Sequence, residues 1–206
     1  MRNNARKIVW HPSGATAEDR GPLLRQQGCV IWLTGLSGSG KSTLAGTVEK
    51  QLLEAGHLCY VLDGDNIRHG LNADLGFSAE DRTENIRRVG QVAALFADAG
   101  LITLVAFISP YRAGRSHARS AVPAGRFVEV FLDASLPVCD KRDPKGLYRK
   151  ARAGEIADFT GISAPYERPE DPELILPTDT LSVEQCARRV LEYLRDHGLI
   201  APRGEP

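Results

Sequence analysis

The feature that most constrains the fold of this chain is a glycine-rich segment at residues 35–42. Its sequence, GLSGSGKS, satisfies the pattern G-x-x-x-x-G-K-[ST] without a gap. The segment follows a continuous apolar run at residues 29–33, which is typical of a strand buried on both faces. It precedes Leu44, Val48 and Leu52, which recur at helical spacing. A strand, a phosphate-binding loop and a helix are therefore predicted in that order.

The loop predicts which residues hold the phosphates of ATP. Its glycines let backbone N–H groups turn towards the phosphates, and the helix adds the partial positive charge of its N-terminus. Lys41 is predicted to reach the β- and γ-phosphates, Ser42 to ligate Mg²⁺, and Thr43 to hydrogen-bond the α-phosphate. The predicted ATP-binding residues are Gly35, Leu36, Ser37, Gly38, Ser39, Gly40, Lys41, Ser42 and Thr43.

Two other interpretations of the loop are weaker. A dinucleotide-binding turn would carry G-x-G-x-x-G, which is absent here, and it would give the Lys-Ser pair no role. A structural glycine-rich turn with a chance lysine does not account for the buried strand before it and the amphipathic helix after it.

Strand and helix patterns alternate along the rest of the chain. Four more apolar runs predict strands, and the second strand of the chain is predicted to be buried like the first. Two helices are predicted to begin at serine-headed capping boxes. This order predicts an α/β fold of P-loop kinase type, with a five-stranded parallel sheet flanked by helices and a basic lid. The later strands are predicted at 58–62, 101–108, 127–132 and 174–176, and the helices from Ser78 (boxed with Asp81) to Gly100 and from Ser182 (boxed with Gln185) to Gly198.

The domain organisation predicted from these patterns is simple. One kinase domain covers residues 28–206, with a lid at about 143–168, and an N-terminal arm covers residues 1–27. The arm is polar and irregular, and only the segment at 8–10, Ile-Val-Trp, has the apolar character to bury surface. We expect the arm to dock on the body or on another subunit.

Composition argues against several classes of protein. The 26 Lys and Arg residues balance the 26 Asp and Glu residues, which argues against a dedicated nucleic-acid or membrane-surface binder. No apolar run approaches the length of a membrane span. Cys29, Cys59, Cys139 and Cys186 form neither a C-x-x-C pair nor a zinc-ligand cluster, so we expect free thiols in a reducing cytoplasm.

Polar residues follow the second and third predicted strands, at the edge of a parallel sheet where ligands bind. Asp63, Asp65 and Arg68 suit metal coordination, a general base and an anion clamp, although an Asx turn with a helix cap would explain either aspartate singly. After the third strand, Ser109 stands where many P-loop proteins carry an acid. The acidic roles therefore fall to the two aspartates, with Ser42 and Asp63 as the predicted protein ligands of Mg²⁺.

Two further groups of side chains are candidates for substrate contacts. Arg82 and Asn85 are three residues apart and share a face near the start of the long helix. Residues 141–152 carry six basic side chains, which predicts a lid that closes over phosphates and excludes water. Ordinary solvated surface charge remains the alternative for both groups.

Residues 29–177 closely resemble the adenylyl-sulfate kinases, the enzymes that make 3′-phosphoadenylyl sulfate for sulfate assimilation. The resemblance extends far beyond the phosphate-binding loop. It rests on GLSGSGKSTLA at 35–45, LDGDNIRHGLNADLGFSAEDRTENIRRVG at 62–90, FISPYR at 107–112, DPKGLYRKARAGEI at 143–156 and FTGISAPYE at 159–167.

The resemblance implies a set of acceptor contacts. Phe77 and Phe159 would sandwich the adenine of adenylyl sulfate. The residues around each ring lack the apolar periodicity of core segments, so neither ring is expected in the core. Ser109 matches a serine described in this family as a phosphoserine intermediate; a binding role is equally open, because transfer can proceed in line. The implied acceptor-binding residues are Asp65, Arg68, Phe77, Arg82, Asn85, Ile108, Ser109, Lys145 and Phe159.

The implied reaction moves the γ-phosphate of Mg·ATP to the 3′-hydroxyl of adenylyl sulfate. Lys41, Asp65 and Ser109 are the catalytic candidates, and Asp65 would orient and deprotonate the hydroxyl. The resemblance also implies a homodimer, in association with sulfate adenylyltransferase. Two alternatives remain open: a different small-molecule kinase with the same loop and lid, and a nucleotide-binding subunit without turnover.

Overall fold

The structure is a computed structural model that describes residues 9, 11 and 13–201. Strands and helices alternate through these residues, as the sequence predicts. In chain order the elements are α1 (Ala17–Leu24), β1 (Cys29–Thr34), α2 (Lys41–Glu54), β2 (Cys59–Asp63), α3 (Gly64–Ile67), α4 (Ala79–Asp98), β3 (Ile102–Ala106), α5 (Arg112–Ser120), β4 (Phe127–Leu132), α6 (Leu136–Arg142), α7 (Leu147–Arg152), β5 (Leu174–Leu176) and α8 (Val183–Asp196).

The five strands form one parallel sheet in the order β2-β3-β1-β4-β5. β1 is central, with Val30 opposite Thr103 of β3 on one side and Phe127 of β4 on the other. The loop that follows β1 therefore leaves the middle of the carboxyl edge of the sheet, where ligands of open α/β sheets bind.

Alternate side chains of β1 enter two different cores. Ile31 and Leu33 pack into the core shared with α2 and α8, whereas Val30 and Trp32 pack into the core shared with α4. All four are fully buried, and burial of each large apolar side chain contributes roughly 1.5–3 kcal/mol to folding. The phosphate-binding loop is thus mounted on the most firmly packed strand of the sheet.

The predicted fold class is confirmed, and the predicted strands agree with the observed ones to within about two residues at each end. The prediction that the second strand is buried like the first is wrong. β2 lies at the edge of the sheet, and Tyr60 is 53% exposed. An apolar run of five residues does not distinguish an edge strand from a central one, because that depends on which strands pair.

The helices α4 and α8 begin where the capping residues predict. In α8 both bonds of the capping box form between Ser182 and Gln185. In α4 only one forms: Ser78 Oγ accepts from the backbone N–H of Asp81, while the Asp81 carboxylate accepts instead from the N–H of Gly76. The four short helices α3, α5, α6 and α7 were not predicted, because each has fewer than ten residues and too few apolar positions to show a helical period.

The prediction that residues 1–27 are irregular is wrong for the second half of the arm. Thr16 and Asp19 form a capping box at the start of α1. Arg20 then donates to the carbonyl of Asp98, and Gln26 bonds three backbone groups of the body. Of the apolar segment at 8–10, Val9 is exposed, and its two neighbours lie outside the described residues.

Two other expectations can be compared with the structure. All four cysteines are free thiols, and three of them are buried. Within residues 13–201, no helix combines the length and the apolar character required to cross a bilayer.

Candidate active site

The phosphate-binding loop, residues 35–40, turns back over the start of α2. Gly38 has φ of 74°, and a Cβ placed there would lie 3.0 Å from the carbonyl oxygen of Cys139, so only glycine fits without strain. Gly40 is the N-cap of α2 and provides no side-chain cap. The first N–H groups of the helix are therefore left for a ligand, and the helix dipole favours an anion there.

Lys41 lies inside this loop. Its ammonium donates to the carbonyls of Gly35 at 3.0 Å and Leu36 at 2.7 Å. Burial lowers the pKa of Lys41 to about 8, and the charges of Cys139 and Asp63 act in the opposite direction. The loop thus holds a cation beside the helix N-terminus, although burial weakens its hold on the proton.

A chain of hydrogen bonds connects the loop to the end of β2. Ser42 Oγ donates to Asp63 Oδ2 at 2.6 Å, and Asp63 Oδ1 accepts from the backbone N–H of Asp65 at 2.9 Å. Asp63 is therefore also the N-cap of α3. The alternative of a helix cap is correct for Asp63, but it explains only one of its two carboxylate oxygens, because the other faces Ser42.

These oxygens fit the magnesium ion that a P-loop kinase requires. Mg²⁺ prefers oxygen ligands and is usually held by one or two protein groups together with substrate phosphates and water. The Ser42 hydroxyl and the Asp63 carboxylate provide such a pair. Among the described residues there is no cluster of three or more His, Cys, Asp or Glu side chains that would form a separate, fully protein-lined metal site.

A cationic group lies beyond Asp65. The Arg68 guanidinium stacks over the Phe77 ring, 4.3 Å from its centroid, and donates to the carbonyls of Leu75 and Gly76. Phe77 is 63% exposed, an unusual position for a phenylalanine. Burial, followed by the charge of Arg82, lowers the pKa of Arg68 below its usual range. An anion bound beside the two arginines would relieve this repulsion.

Arg82 and Asn85 share one face of α4, as predicted, but they are held differently. Arg82 donates to Thr160 Oγ1 at 2.7 Å and to the carbonyl of Asp158 at 2.5 Å, so it joins α4 to the far end of the lid. Asn85 is buried, and its Oδ1 accepts from Asn72 Nδ2 at 2.8 Å. That bond fixes the orientation of the Asn85 amide.

The lid packs into a small hydrophobic core, formed by its own Tyr148, Ala151 and Phe159 together with Ala134 and Cys139 from the preceding segment. The expectation that Phe159 lies outside any core is therefore wrong. Its ring is 8% exposed and meets Tyr148 edge-on, with 4.9 Å between the centroids. The segment lacks apolar periodicity because the cluster is assembled from α6, α7 and the loops beside them rather than from one face of one element.

The lid also contacts both sides of the site. Tyr148 Oη donates to the carbonyl of Ser37, and Arg142 donates to the carbonyls of Gly38 and Thr178. Lys145 forms an ion pair with Asp65. All six basic side chains of residues 141–152 are exposed, and these contacts orient two of them towards the phosphate-binding loop and α3.

Ser109 lies at the carboxyl end of the sheet beside β1, but its side chain is buried. Its Oγ accepts from Trp32 Nε1 at 3.0 Å and donates to the carbonyl of Phe107 at 3.4 Å. Its φ of 41° is unusual for a residue other than glycine and costs of order 1–3 kcal/mol. The preceding carbonyl, of Ile108, accepts from Thr34 Oγ1. The surroundings therefore fix this loop firmly.

Comparison with known proteins agrees with this geometry. The family model described as adenylylsulphate kinase matches residues 27–177. This chain belongs to the adenylyl-sulfate kinase family.

Members of the family from distant organisms are similar over nearly the whole chain. A probable adenylyl-sulfate kinase of Halalkalibacterium halodurans is 56% identical over 192 residues, 93% of this chain and 95% of that protein. The adenylyl-sulfate kinase of Acaryochloris marina is 56% identical over 195 residues, 95% of each. Among solved structures, the APS kinase of Mycobacterium tuberculosis in complex with AMPPNP and APS superposes with a TM-score of 0.78 at 53% identity, covering 82% of this chain and 98% of that one.

Sequence reasoning missed a group of adenylyl-sulfate kinase residues behind Ser109. Arg115 on α5, Glu129 on β4 and Tyr166 near the end of the lid surround this loop, and the first two form a buried ion pair at 2.7 Å. The sequence contained one indication of this group, which was Glu129. A carboxylate in the centre of the apolar strand FVEVFL must have a cationic partner, because a lone buried charge is too costly.

Proposed function

We propose that this chain transfers the γ-phosphoryl group of ATP to the 3′-hydroxyl of adenylyl sulfate, giving ADP and 3′-phosphoadenylyl sulfate. The observation that carries the proposal is the continuous hydrogen-bonded path Ser42–Asp63–Asp65, which ends at the lid residue Lys145. It joins a phosphate-binding loop to a carboxylate that faces a cationic, aromatic acceptor region.

The donor phosphates lie in the loop of residues 35–43. Its N–H groups and the Lys41 ammonium compensate charge that moves from the γ-phosphoryl group to the β-phosphate oxygens as the bond between them breaks. Lys41 must exchange its bonds to the Gly35 and Leu36 carbonyls for phosphate oxygens. Magnesium, held by Ser42 and Asp63, would neutralise phosphate charge when bound.

Asp65 acts on the acceptor. Its carboxylate gives up the ion pair with Lys145, accepts the proton of the 3′-hydroxyl, and so directs a lone pair of that oxygen at the γ-phosphorus. The new O–P bond forms as the bond to the leaving ADP oxygen breaks. Lys145 is then free to hold phosphate oxygens from the lid side, and closure of the lid excludes water that would otherwise hydrolyse ATP.

The acceptor region recognises a nucleotide with a charged end. Arg68 and Arg82 bind the phosphosulfate, and the exposed Phe77 ring stacks on the adenine. The pKa of Arg68 is lowered by burial and then by the charge of Arg82, so an anion bound between the two guanidinium groups is favoured. Asn85 and the backbone at Ile108 and Ser109 border the same region. Phe159 contributes from inside the lid core, through the small part of its ring that remains exposed.

The direct test is mass-spectrometric detection of 3′-phosphoadenylyl sulfate after the protein is mixed with Mg·ATP and adenylyl sulfate. Lys41→Ala, at matched circular dichroism, should form none. A parallel panel of other hydroxyl acceptors, including adenosine 5′-phosphate and small sugars, distinguishes this reaction from that of another small-molecule kinase. Turnover only with a different acceptor, or ADP release that needs no acceptor, would contradict the proposal.

The wider setting follows from the family. The proposed assembly is a homodimer that receives adenylyl sulfate from sulfate adenylyltransferase. Assembly is known among relatives, since an APS kinase of Thiobacillus denitrificans, 32% identical with a TM-score of 0.65 over 86% of this chain and 30% of that one, is described as hexameric. The four free thiols are consistent with a reducing compartment such as the cytoplasm.

A further inference from the structure

Arg115 is a buried cation outside the residues assigned to the reaction. It lies in the first turn of α5, and only 2% of its surface is exposed. A guanidinium is rarely buried so completely unless each of its nitrogens has a partner. Those partners indicate what the residue does.

Each guanidinium nitrogen contacts a different part of the molecule. Nε donates to Glu129 Oε1 at 2.7 Å, one terminal NH₂ donates to the carbonyl of Ser109 at 2.7 Å, and the other donates to the carbonyl of Glu167 at 2.8 Å. Glu129 lies on β4 of the sheet. Ser109 lies in the loop Ile108–Pro110 after β3, which is called the acceptor loop below. Glu167 lies near the end of the lid, where the chain returns to the body, and this position is called the base of the lid. One planar side chain therefore joins the sheet, the acceptor loop and the base of the lid.

The Ser109 carbonyl requires such a partner because the local backbone is strained. Its left-handed φ persists only while the surroundings hold it. The base of the lid is attached to the same loop by a further bond, from Glu167 N–H to the carbonyl of Pro110, and to the start of α5 by a bond from Arg112 N–H to Glu167 Oε2. The base of the lid is therefore hydrogen-bonded to the acceptor loop both directly and through Arg115.

We infer that Arg115 is a positioning residue that sets the acceptor loop at Ile108–Pro110 and couples it to the base of the lid at Glu167. The inference rests on the proposed function, since the loop is taken to border the adenylyl-sulfate site. Arg115 acts through Ser109 and Glu167 and does not touch the reacting atoms. It is therefore expected to govern binding and orientation of the acceptor while leaving the ATP site nearly unchanged.

The test is Arg115→Lys, which keeps the positive charge beside Glu129 but cannot reach three acceptors at once. Steady-state kinetics should show the KM for adenylyl sulfate raised by about tenfold or more and kcat lowered, because a displacement of about 1 Å is enough to cost this much, while the KM for ATP stays within about threefold. In thermal melts, adenylyl sulfate should raise the Tm of the variant less than that of the wild type, whereas ATP should raise both equally.

Arg119→Lys is the matched control. Arg119 lies one turn further along α5 and contacts Glu129 and Glu173, but it reaches neither Ser109 nor Glu167. The same substitution there should leave both KM values within about threefold. The inference would be overturned if Arg115→Lys changed both KM values equally or left the KM for adenylyl sulfate unchanged. It would also be overturned if Arg119→Lys changed the KM values as much as Arg115→Lys does.

Glu129→Gln provides a second measurement that does not depend on the folding of Arg115→Lys. It keeps an oxygen facing Arg115 Nε and removes the charge, so a smaller rise confined to the KM for adenylyl sulfate is expected. If this variant changes neither KM, Arg115 has no positioning role. Failure of the proposed function itself would be visible in the wild type, which would then form no 3′-phosphoadenylyl sulfate.

Discussion

Lys41 carries its charge inside the phosphate-binding loop, where burial lowers its pKa to about 8. Only the protonated ammonium attracts phosphate, so the affinity of the free protein for ATP should fall as pH rises through about 8, by about tenfold in all. Calorimetric titration with ATP between about pH 6.5 and 9.5 measures this. Lys41→Arg stays charged across that range and should lose the transition. If the affinity for ATP changes with pH in the same way in the wild type and in Lys41→Arg, the lowered pKa of Lys41 is contradicted.

Asp65 should be needed for turnover and not for ATP binding. Asp65→Asn keeps the size of the side chain and removes its capacity to accept a proton, so kcat should fall by about 10²–10⁴-fold with an unchanged Kd for ATP. Asp74→Asn is a suitable control, because its exposed carboxylate pairs with Arg88 on the surface. Normal turnover in Asp65→Asn would move the base role elsewhere.

Ser109 is expected to assist binding without carrying the phosphoryl group. In Ser109→Ala the Trp32 indole N–H loses its acceptor, and the loop loosens, so the KM for adenylyl sulfate should rise while kcat stays within about tenfold of the wild type. Mass spectrometry of the intact protein during turnover should detect no phosphoserine. A variant that binds both substrates but makes no product would instead require the covalent intermediate.

At the scale of elements, the lid is a packed unit rather than a loose basic loop. Its core of five buried residues positions α7, and α7 in turn places Tyr148 against the Ser37 carbonyl. The two phenylalanines assigned to the acceptor adenine therefore differ in environment. Phe77 projects from the loop before α4, and Phe159 packs inside the lid.

Substitution of the two rings should separate binding from stability. Phe77→Ala should raise the KM for adenylyl sulfate by about tenfold, from a lost stack of about 1–3 kcal/mol, with an unchanged Tm. Phe159→Ala creates a cavity beside Tyr148 and should lower the Tm as well as weaken acceptor binding, since removal of a buried ring costs about 3–5 kcal/mol. A stable Phe159→Ala protein with unaltered kinetics would contradict both the lid core and the acceptor contact.

At the scale of the whole molecule, Gln26 joins the N-terminal segment to the sheet. Its side chain is 4% exposed, donates to the carbonyls of Leu58 and Gly100, and accepts from the N–H of Leu58. An isolated bridge pairs the same residue with Ile200, beyond α8. The segment before β1 and the segment after α8 therefore meet near the amino-terminal edge of the sheet, opposite the candidate active site.

Gln26→Ala should destabilise the protein without changing its catalysis. It leaves three backbone groups without their partner, at about 1–3 kcal/mol for each that stays buried, so the Tm should fall by several degrees. Both KM values should be unchanged, because the site lies at the other edge of the sheet. Gln27→Ala, an exposed neighbour of the same type, should keep the wild-type Tm. If Gln26→Ala and Gln27→Ala have the same Tm, the stabilising role of Gln26 is contradicted.

The fold class, the central strand and the phosphate-binding loop could be predicted from the amino-acid sequence alone. These features are local: GLSGSGKS, the apolar run before it and the helical spacing after it are contiguous, and their physical chemistry can be inferred without knowledge of any distant contact. The starts of α4 and α8 were predictable for the same reason, because an N-cap serine acts on backbone groups only three residues away.

The packing of distant segments determines which strand lies at the edge, where Phe159 packs and what holds Ser109. Tyr60 is exposed because β2 is the edge strand of the sheet that the described residues form, and Phe159 is buried because separate elements meet around it. The bonds that join Arg115 to Ser109, Glu129 and Glu167 span 6 to 52 residues of chain. Contacts of that kind depend on how elements pack, and no local pattern of residues determines them.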